Sequence, residues 1–318
     1  MGLKNKNILV TGGTGFIGSH LISILLEENC KIIIPYQDTN PNSYFFEQKL
    51  NKKTILAFCD LKNFKRTIDI VTKYEIDIIF HLAAQAIVTT AFHNPLETLE
   101  TNIMGTANIL EASRLYGKVQ GIIVVSSDKA YGKIPKATEN HPVSGDHPYE
   151  TSKSAADLIA TTYFKTYNLP VVVTRFGNVY GEGDLNFSRI VPGIMKAIIK
   201  NEELVIRSDG KYIRDYVYVG DVVDALMLIA KNLKGVCGEA FNISSNENLS
   251  VIELIKKIAK VLDVKIKYRI LNNAINEIPV QSVDYKKIRK SLGWQLRNNL
   301  NSTISQIYDW YNKYFGRS

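Results

Sequence analysis

Two short stretches of this chain hold side chains that could move protons: "SSDKAYG" at residues 126–132 and "PYETSK" at 148–153. In the second, Tyr149 and Lys153 stand four apart and so share one face of a helix. A phenol with a pKa of about 10 is a poor base at neutral pH, and a neighbouring ammonium favours its phenolate form. Tyr149 then reads as the group that removes a hydroxyl proton while hydride leaves the same carbon. Ser127 would hydrogen-bond that hydroxyl and complete a Ser/Tyr/Lys triad; its other reading is a turn hydroxyl at a strand end. Beside it stand an acid and a base, Asp128 and Lys129. Such neighbours are commonly an inert surface ion pair. Next to a redox triad they could instead be the acid and base of an elimination. That role requires burial to raise Asp128, and desolvation or nearby positive charge to lower Lys129.

Hydride chemistry needs a carrier, and "VTGGTGFIG" supplies a place for one. Gly12, Gly15 and Gly18, with Thr14, Phe16 and Ile17 between them, follow the apolar run "NILV" and open an amphipathic stretch over 16–28. Glycines at such a strand-to-helix turn let backbone approach a pyrophosphate at the positive helix terminus. The second strand, "KIII", is expected to end in an acid for the adenosine ribose. Asp38 takes that place two residues past Tyr36, or is a solvated turn residue. No Arg follows the strand to hold a 2′-phosphate, so NAD is favoured over NADP.

The elements that must position these groups alternate in type. Strands are expected at 7–10, 31–34, 54–58, 76–80, 121–126 and 170–175, with helices between them at 16–28, 96–116 and 149–167. Continuous apolar strands joined by helices imply a parallel sheet covered on both faces, here a Rossmann-type doubly wound α/β fold. Beyond about residue 176 the pattern loosens. Helices are expected over 188–200, 221–231 (with Asp221 as N-cap) and 250–262, and short strands at 204–207, 215–219 and 239–243. The division is a dinucleotide-binding domain over 1–176 and a smaller C-terminal α/β substrate lobe over 177–318, some of whose segments return to the first domain.

The 318 residues suffice for such a pair of lobes, and the net charge of +8 is scattered, without the basic–aromatic clusters of a nucleic-acid binder. Cys30, Cys59 and Cys237 lack any metal-ligand or disulfide spacing and read as buried free thiols. His81, His93, His141 and His147 are likewise scattered and read as structural or solvated, so no metal is expected. No apolar run is long enough to span a bilayer. With no room ahead of Gly12 for a signal peptide, the expectation is a cytoplasmic protein. "LGW" at 292–294 and the helix over 300–315 read as packing of the second lobe.

The GxxGxxG spacing in "TGGTGFIG", followed by Ser127 and YxxxK, resembles the extended short-chain dehydrogenase/reductase superfamily. "SDK", "HLAAQAIV", "ETNIMGTANILEASR", "GNVYGEGD" and "QDTNPNSYFFE" resemble its nucleotide-sugar 4,6-dehydratases, with the Asp–Lys pair most like the CDP-glucose enzymes. The resemblance covers nearly the whole chain and weakens beyond about residue 245. It implies hydride removal from C4 of a hexose, loss of water across C5 and C6, and hydride return to C6, with Lys129 as base and Asp128 as acid. It implies NAD contacts from Asp60, Leu61, Leu82, Ala83, Ala84, Gln85 and Asn102, besides the glycine loop, Asp38, Tyr149 and Lys153. It implies nucleotide-sugar contacts from Gln85, Ser127, Asn178, Arg189, Arg207 and Arg214; the other reading of Arg214 is an ion pair with Asp215. A homodimer built partly from the Tyr149 helix is implied too. Three alternatives stay open: a C4 epimerase with Asp128 and Lys129 as spectators, a C5-inverting 4,6-dehydratase, against which the intact Tyr149 argues, and a dinucleotide-sensing scaffold.

Overall fold

The computed structural model describes residues 2–273 and 278–316. Its frame is a seven-stranded sheet: β1 (Asn7–Thr11), β2 (Lys31–Tyr36), β3 (Ile55–Phe58), β4 (Ile78–His81), β5 (Gly121–Val125), β6 (Val171–Phe176) and one late strand, β10 (Ala240–Ile243). The spatial order is β10-β6-β5-β4-β1-β2-β3, and every pairing is parallel.

Alternation along these strands divides the interior in two. Ile8, Val10, Ile123 and Val125 point into one layer with Leu21, Ile22 and Leu25 of the first helix and Val222, Val223 and Leu226 of helix Val219–Lys231. Leu9, Ile122 and Val124 point into the other, against Ile70 and Val71, Ile109 and Leu110, and Ala160 from three more helices. Side chains two apart share a face and both faces are buried, so the strands read as unbroken apolar runs.

The smaller lobe holds β7 (Asn178–Tyr180), β8 (Leu204–Ile206), β9 (Ile213–Tyr218), β11 (Asn248–Ser250) and β12 (Tyr268–Ile270). They form a three-stranded sheet β11-β9-β7 and a pair β12-β8. Helices Ile190–Lys200, Val251–Leu262 and Leu300–Gly316 bury Ile194, Ile258, Ile304 and Tyr311 together in that lobe's own core. Trp294 packs against the sheet layer instead.

Two expectations need correction. Asp221 does not cap its helix: the helix begins at Val219 with Tyr218 as N-cap. The Asp221 carboxylate instead accepts the backbone N–H groups of Arg297 and Asn298, 3.0 and 3.1 Å away, and ties the C-terminal segment to the sheet. The stretch 96–116 is not one helix either. Helix Pro95–Leu99 passes through a π turn, Glu100–Met104, before helix Gly105–Tyr116. There the hydroxyl of Thr106 donates to the carbonyl of Asn102 at 2.6 Å, and the wider turn carries the Asn102 side chain to the next helix layer.

Candidate active site

The glycine loop closes tightly against the end of β4. Gly12 has φ of +69°, and a Cβ on it would stand 2.8 Å from the Ala83 nitrogen. One on Gly18 would collide with the Gly12 carbonyl oxygen. Helix Phe16–Glu27 starts at Gly15 with no side-chain cap, which leaves its first N–H groups directed outward. A diphosphate fits such a cradle, since only hydrogen atoms line the backbone there.

The other expected cofactor positions surround this loop unequally. Ala83 N–H donates to the Thr11 hydroxyl at 3.1 Å, and Leu82 and Ala84 continue the half-buried turn. Asp60 accepts from the backbone of Lys62 at 2.9 Å and is ion-paired with its side chain at 3.7 Å. Leu61's carbonyl is held by Asn108 at 2.7 Å. Asp38 lies exposed past the end of β2. Asn102 spends its amide inside the protein: its oxygen accepts from Gln85 N–H at 2.7 Å, and its nitrogen donates to Ser152 Oγ at 2.8 Å. It therefore pins the β4 turn to the Tyr149 helix. Gln85 folds its side-chain oxygen onto Ile87 N–H at 2.7 Å.

At the end of β5 the chain enters a short 3-10 turn, Asp128–Tyr131, capped by Ser127. Helix Pro148–Tyr167 packs on it; Pro148 at its first position presets the backbone, and His147 caps it. Tyr149, Lys153 and Ser127 are all buried. Burial, aided by the Asp128 charge, pushes Tyr149 up to about 12, and nearby Ser127 only partly opposes it. The expected lowering of the phenol, by Lys153 together with the positive nicotinamide ring, belongs to the cofactor-loaded site. Lys153 Nζ donates to the Val125 carbonyl at 2.6 Å, and burial brings the amine down to about 8 against the opposing pull of Asp157.

Asp128 is not a surface residue. It is 4% exposed; one carboxylate oxygen accepts from Ser127 Oγ at 3.1 Å, and the other, Oδ2, is buried without a partner among the described residues. Burial raises its pKa, and the charges of Lys129 and Arg214 with the Ser127 bond only partly oppose that. A carboxyl so placed favours its protonated form more than a solvated one does. Lys129 is half-buried, with Nζ 2.7 Å from the Gln281 side-chain oxygen.

Other buried polar atoms without partners among the described residues gather around the same opening: Asn178 Nδ2, Tyr216 Oη and Gln281 Nε2. Asn178 on β7 pairs in register with Tyr216 on β9. Burial raises the Tyr216 phenol, and the charges of Arg214 and Arg189 both act on it. Arg189 reaches Asp184 and the Val179 carbonyl, each at 2.7 Å. Arg214 turns to the carbonyls of Ile213 and Ile278, at 2.9 and 2.7 Å. Its expected alternative partner, Asp215, faces the other way and accepts from Ser244 Oγ and from Ser245 N–H. Unpartnered buried groups between two guanidinium charges suit an anionic polar ligand. Arg207 stands apart, exposed at the end of β8.

The histidines keep structural places. His81 is buried between the hydroxyls of Thr11 and Thr106, at 2.8 and 2.9 Å, where burial pushes it down to about 3. His141 accepts from Thr138 N–H at 3.0 Å. All three cysteines are free thiols, with Cys59 buried and the other two only half-buried. Sequence reasoning missed Gln281 and Asp215, which no local spacing connects to the triad, and Tyr131, which ends the turn that Ser127 caps.

A family model for GDP-mannose 4,6 dehydratase matches residues 9–307. Human dTDP-D-glucose 4,6-dehydratase is 32% identical over 326 residues, covering 98% of this chain and 91% of that protein. Against a trifunctional UDP-glucose 4,6-dehydratase/UDP-4-keto-6-deoxy-D-glucose 3,5-epimerase/UDP-4-keto-L-rhamnose-reductase of Arabidopsis thaliana, 31% identical across 97% of this chain, the chain spans about half of the relative, 47%. UDP-glucose 4-epimerase of Thermotoga maritima, solved with UDP-glucose, superposes with a TM-score of 0.88 at 28% identity, covering 97% of this chain and 99% of that one. dTDP-glucose 4,6-dehydratase of Streptomyces venezuelae, solved with NAD and TYD bound, gives 0.88 at 25% identity, covering 98% of each chain. The match runs through every element that builds the site. The chain belongs to the GDP-mannose 4,6-dehydratase family, among the nucleotide-sugar 4,6-dehydratases and closely related epimerases of the extended short-chain dehydrogenase/reductase superfamily.

Proposed function

We propose that this chain is an NAD-dependent nucleotide-sugar 4,6-dehydratase, a hydro-lyase that yields a 4-keto-6-deoxyhexose still joined to its nucleotide. The glycine cradle and the turn after β4 hold NAD; Asn178, Arg189 and Arg214 hold the diphosphate of the sugar nucleotide. A nicotinamide bound there supplies a place for the C4 hydride until it is returned to C6. Tyr149 removes the proton of the C4 hydroxyl, assisted by Ser127, and Lys153 supplies the positive charge that makes a phenolate acceptable. The resulting C4 ketone acidifies the C5 proton, which Lys129 takes. Asp128 gives its proton to the C6 hydroxyl, which leaves as water; when hydride returns to C6, Lys129 gives its proton back to C5, and the proton taken by Tyr149 replaces the one that Asp128 spent.

The carrying observation is the burial of Asp128, with one carboxylate oxygen unpartnered and its pKa raised. A C4 epimerase, the alternative that the Thermotoga likeness keeps in view, needs no acid at that place. Incubation with CDP-, GDP-, UDP- and dTDP-hexoses, read by mass spectrometry, tests the reading, with CDP-glucose the first expected substrate. Loss of one water from one of them is the expected result; an isobaric product overturns it. The enzyme is proposed to work as a homodimer through the exposed Leu96, Met104 and Leu158 of helix Pro95–Leu99, the π turn and the Tyr149 helix. Light scattering at the monomer mass would refute that.

A further inference from the structure

The segment over 278–284 comes from the far end of the chain and crosses the mouth of the site as a strap. Gln281 N–H donates to the Ile213 carbonyl at 3.1 Å on one side. On the other, Ala137 N–H reaches the Ser282 carbonyl at 3.3 Å, and Asp284 N–H reaches the Ala137 carbonyl at 2.9 Å. The strap thus bridges β9 of the substrate lobe and the loop that follows the charged turn. Its Gln281 side chain points inward, 3% exposed, and takes a hydrogen bond from Lys129 Nζ at 2.7 Å across 152 residues of sequence. The remaining amide nitrogen, Nε2, is buried without a partner among the described residues, as expected of a polar group at the edge of a ligand site.

We propose that Gln281 is a positioning residue that aims the Lys129 amine at the substrate carbon. The inference rests on the reading of Lys129 as the base. An amine that has lost its proton keeps two N–H groups, so it can go on donating to an amide oxygen while its lone pair points elsewhere. The amide suits this task better than a carboxylate. It accepts from amine and ammonium alike and brings no charge that would hold the proton on. Other titratable groups bear on the same ammonium: Asp128 on its own turn, and His147 at the start of the Tyr149 helix, which burial, aided by the Lys129 charge and opposed by Glu150, pushes down. Arg214 faces Asp128 from β9.

The test compares wild type, Gln281→Glu, Gln281→Leu and Lys129→Met. For each, C4 oxidation, exchange of the C5 proton with solvent, and water loss are followed against pH. Gln281→Glu, which keeps the shape, should move the rise of C5 exchange to higher pH by about one unit, about a tenfold loss at fixed pH below that rise. Gln281→Leu should lower the kcat of C5 exchange and water loss together by about 10²-fold, with KM and C4 oxidation little changed. Thermal melting of Gln281→Leu separates this from misfolding, and the isosteric Gln281→Glu profile decides if it does not fold. Wild-type profiles in both Gln281 variants, with Lys129→Met unable to lose water, would overturn the inference and leave the base intact. Normal turnover by Lys129→Met would overturn the base itself.

Discussion

Asp128 and Asp215 are two buried carboxyls that stand a short way apart. A methyl placed on Gly177 would touch both, 3.2 Å from Asp215 Cβ and 3.4 Å from Asp128 Oδ2. Burial raises Asp215 to about 7, and the charge of Asp128 adds to that. This has a consequence for stability. An unfolded Asp215 ionises at the ordinary carboxylate value, so between about pH 4 and about pH 7 the unfolded chain has lost a proton that the native one keeps, and stability falls as pH rises through that window. Asp215→Asn keeps its bonds to Ser244 and Ser245 and cannot ionise. Urea unfolding at about pH 4.5 and about pH 7.5 should show wild type losing about 3 kcal/mol more than the variant over that interval. Equal pH slopes would show that Asp215 ionises freely in the fold. Nothing in the sequence marks Asp215 for this role. Ser127, Asp128, Lys129, Tyr149 and Lys153 were legible because strand end and helix face fix their spacing locally. Asp215 and Gln281 meet them only through lobe packing.

At the scale of elements, the charged turn is held by a buried chain of bonds running beneath it. Arg175 on β6 forks onto Asp157 of the Tyr149 helix, at 2.7 and 2.8 Å, and reaches the Tyr131 hydroxyl at 2.6 Å. Tyr131, the last residue of the turn, donates its hydroxyl hydrogen bond to Asn242 Oδ1 of β10 at 2.7 Å. The helix bearing the triad, the turn bearing the acid and base, and two strands are thereby fixed to one another. The sequence offered Arg175 only as the end of an apolar run, because its partners lie on other elements. Removing one partner of such a pair strands the other charge in the interior. Arg175→Met is expected to cost about 3–5 kcal/mol in chemical denaturation, and Arg175→Met with Asp157→Leu to recover most of it. A loss under about 1 kcal/mol for the single variant would mean that water reaches Asp157 and that the fork anchors nothing.

The molecule as a whole divides the work that the local elements cannot do alone. The parallel sheet and its phosphate loop were readable as unbroken apolar strands joined by helices. The second lobe was readable only as fragments, because its short strands pair with partners far along the chain: β9 with β7 and β11, β12 with β8. Its strap then crosses back over the turn, where Gln281 from the far end of the chain meets Lys129. On the proposed reading, water loss needs Asp128 and Lys129 in addition, whereas C4 oxidation needs only the triad, the cofactor and the bound sugar nucleotide. That separation can be measured directly, by a single turnover of Asp128→Asn and of Lys129→Met with the sugar nucleotide that wild type accepts. Reduced nicotinamide should accumulate by its near-ultraviolet absorbance, while water loss by mass spectrometry falls about 10²- to 10⁴-fold. Release of the dehydrated sugar at the wild-type rate by both variants would contradict the account.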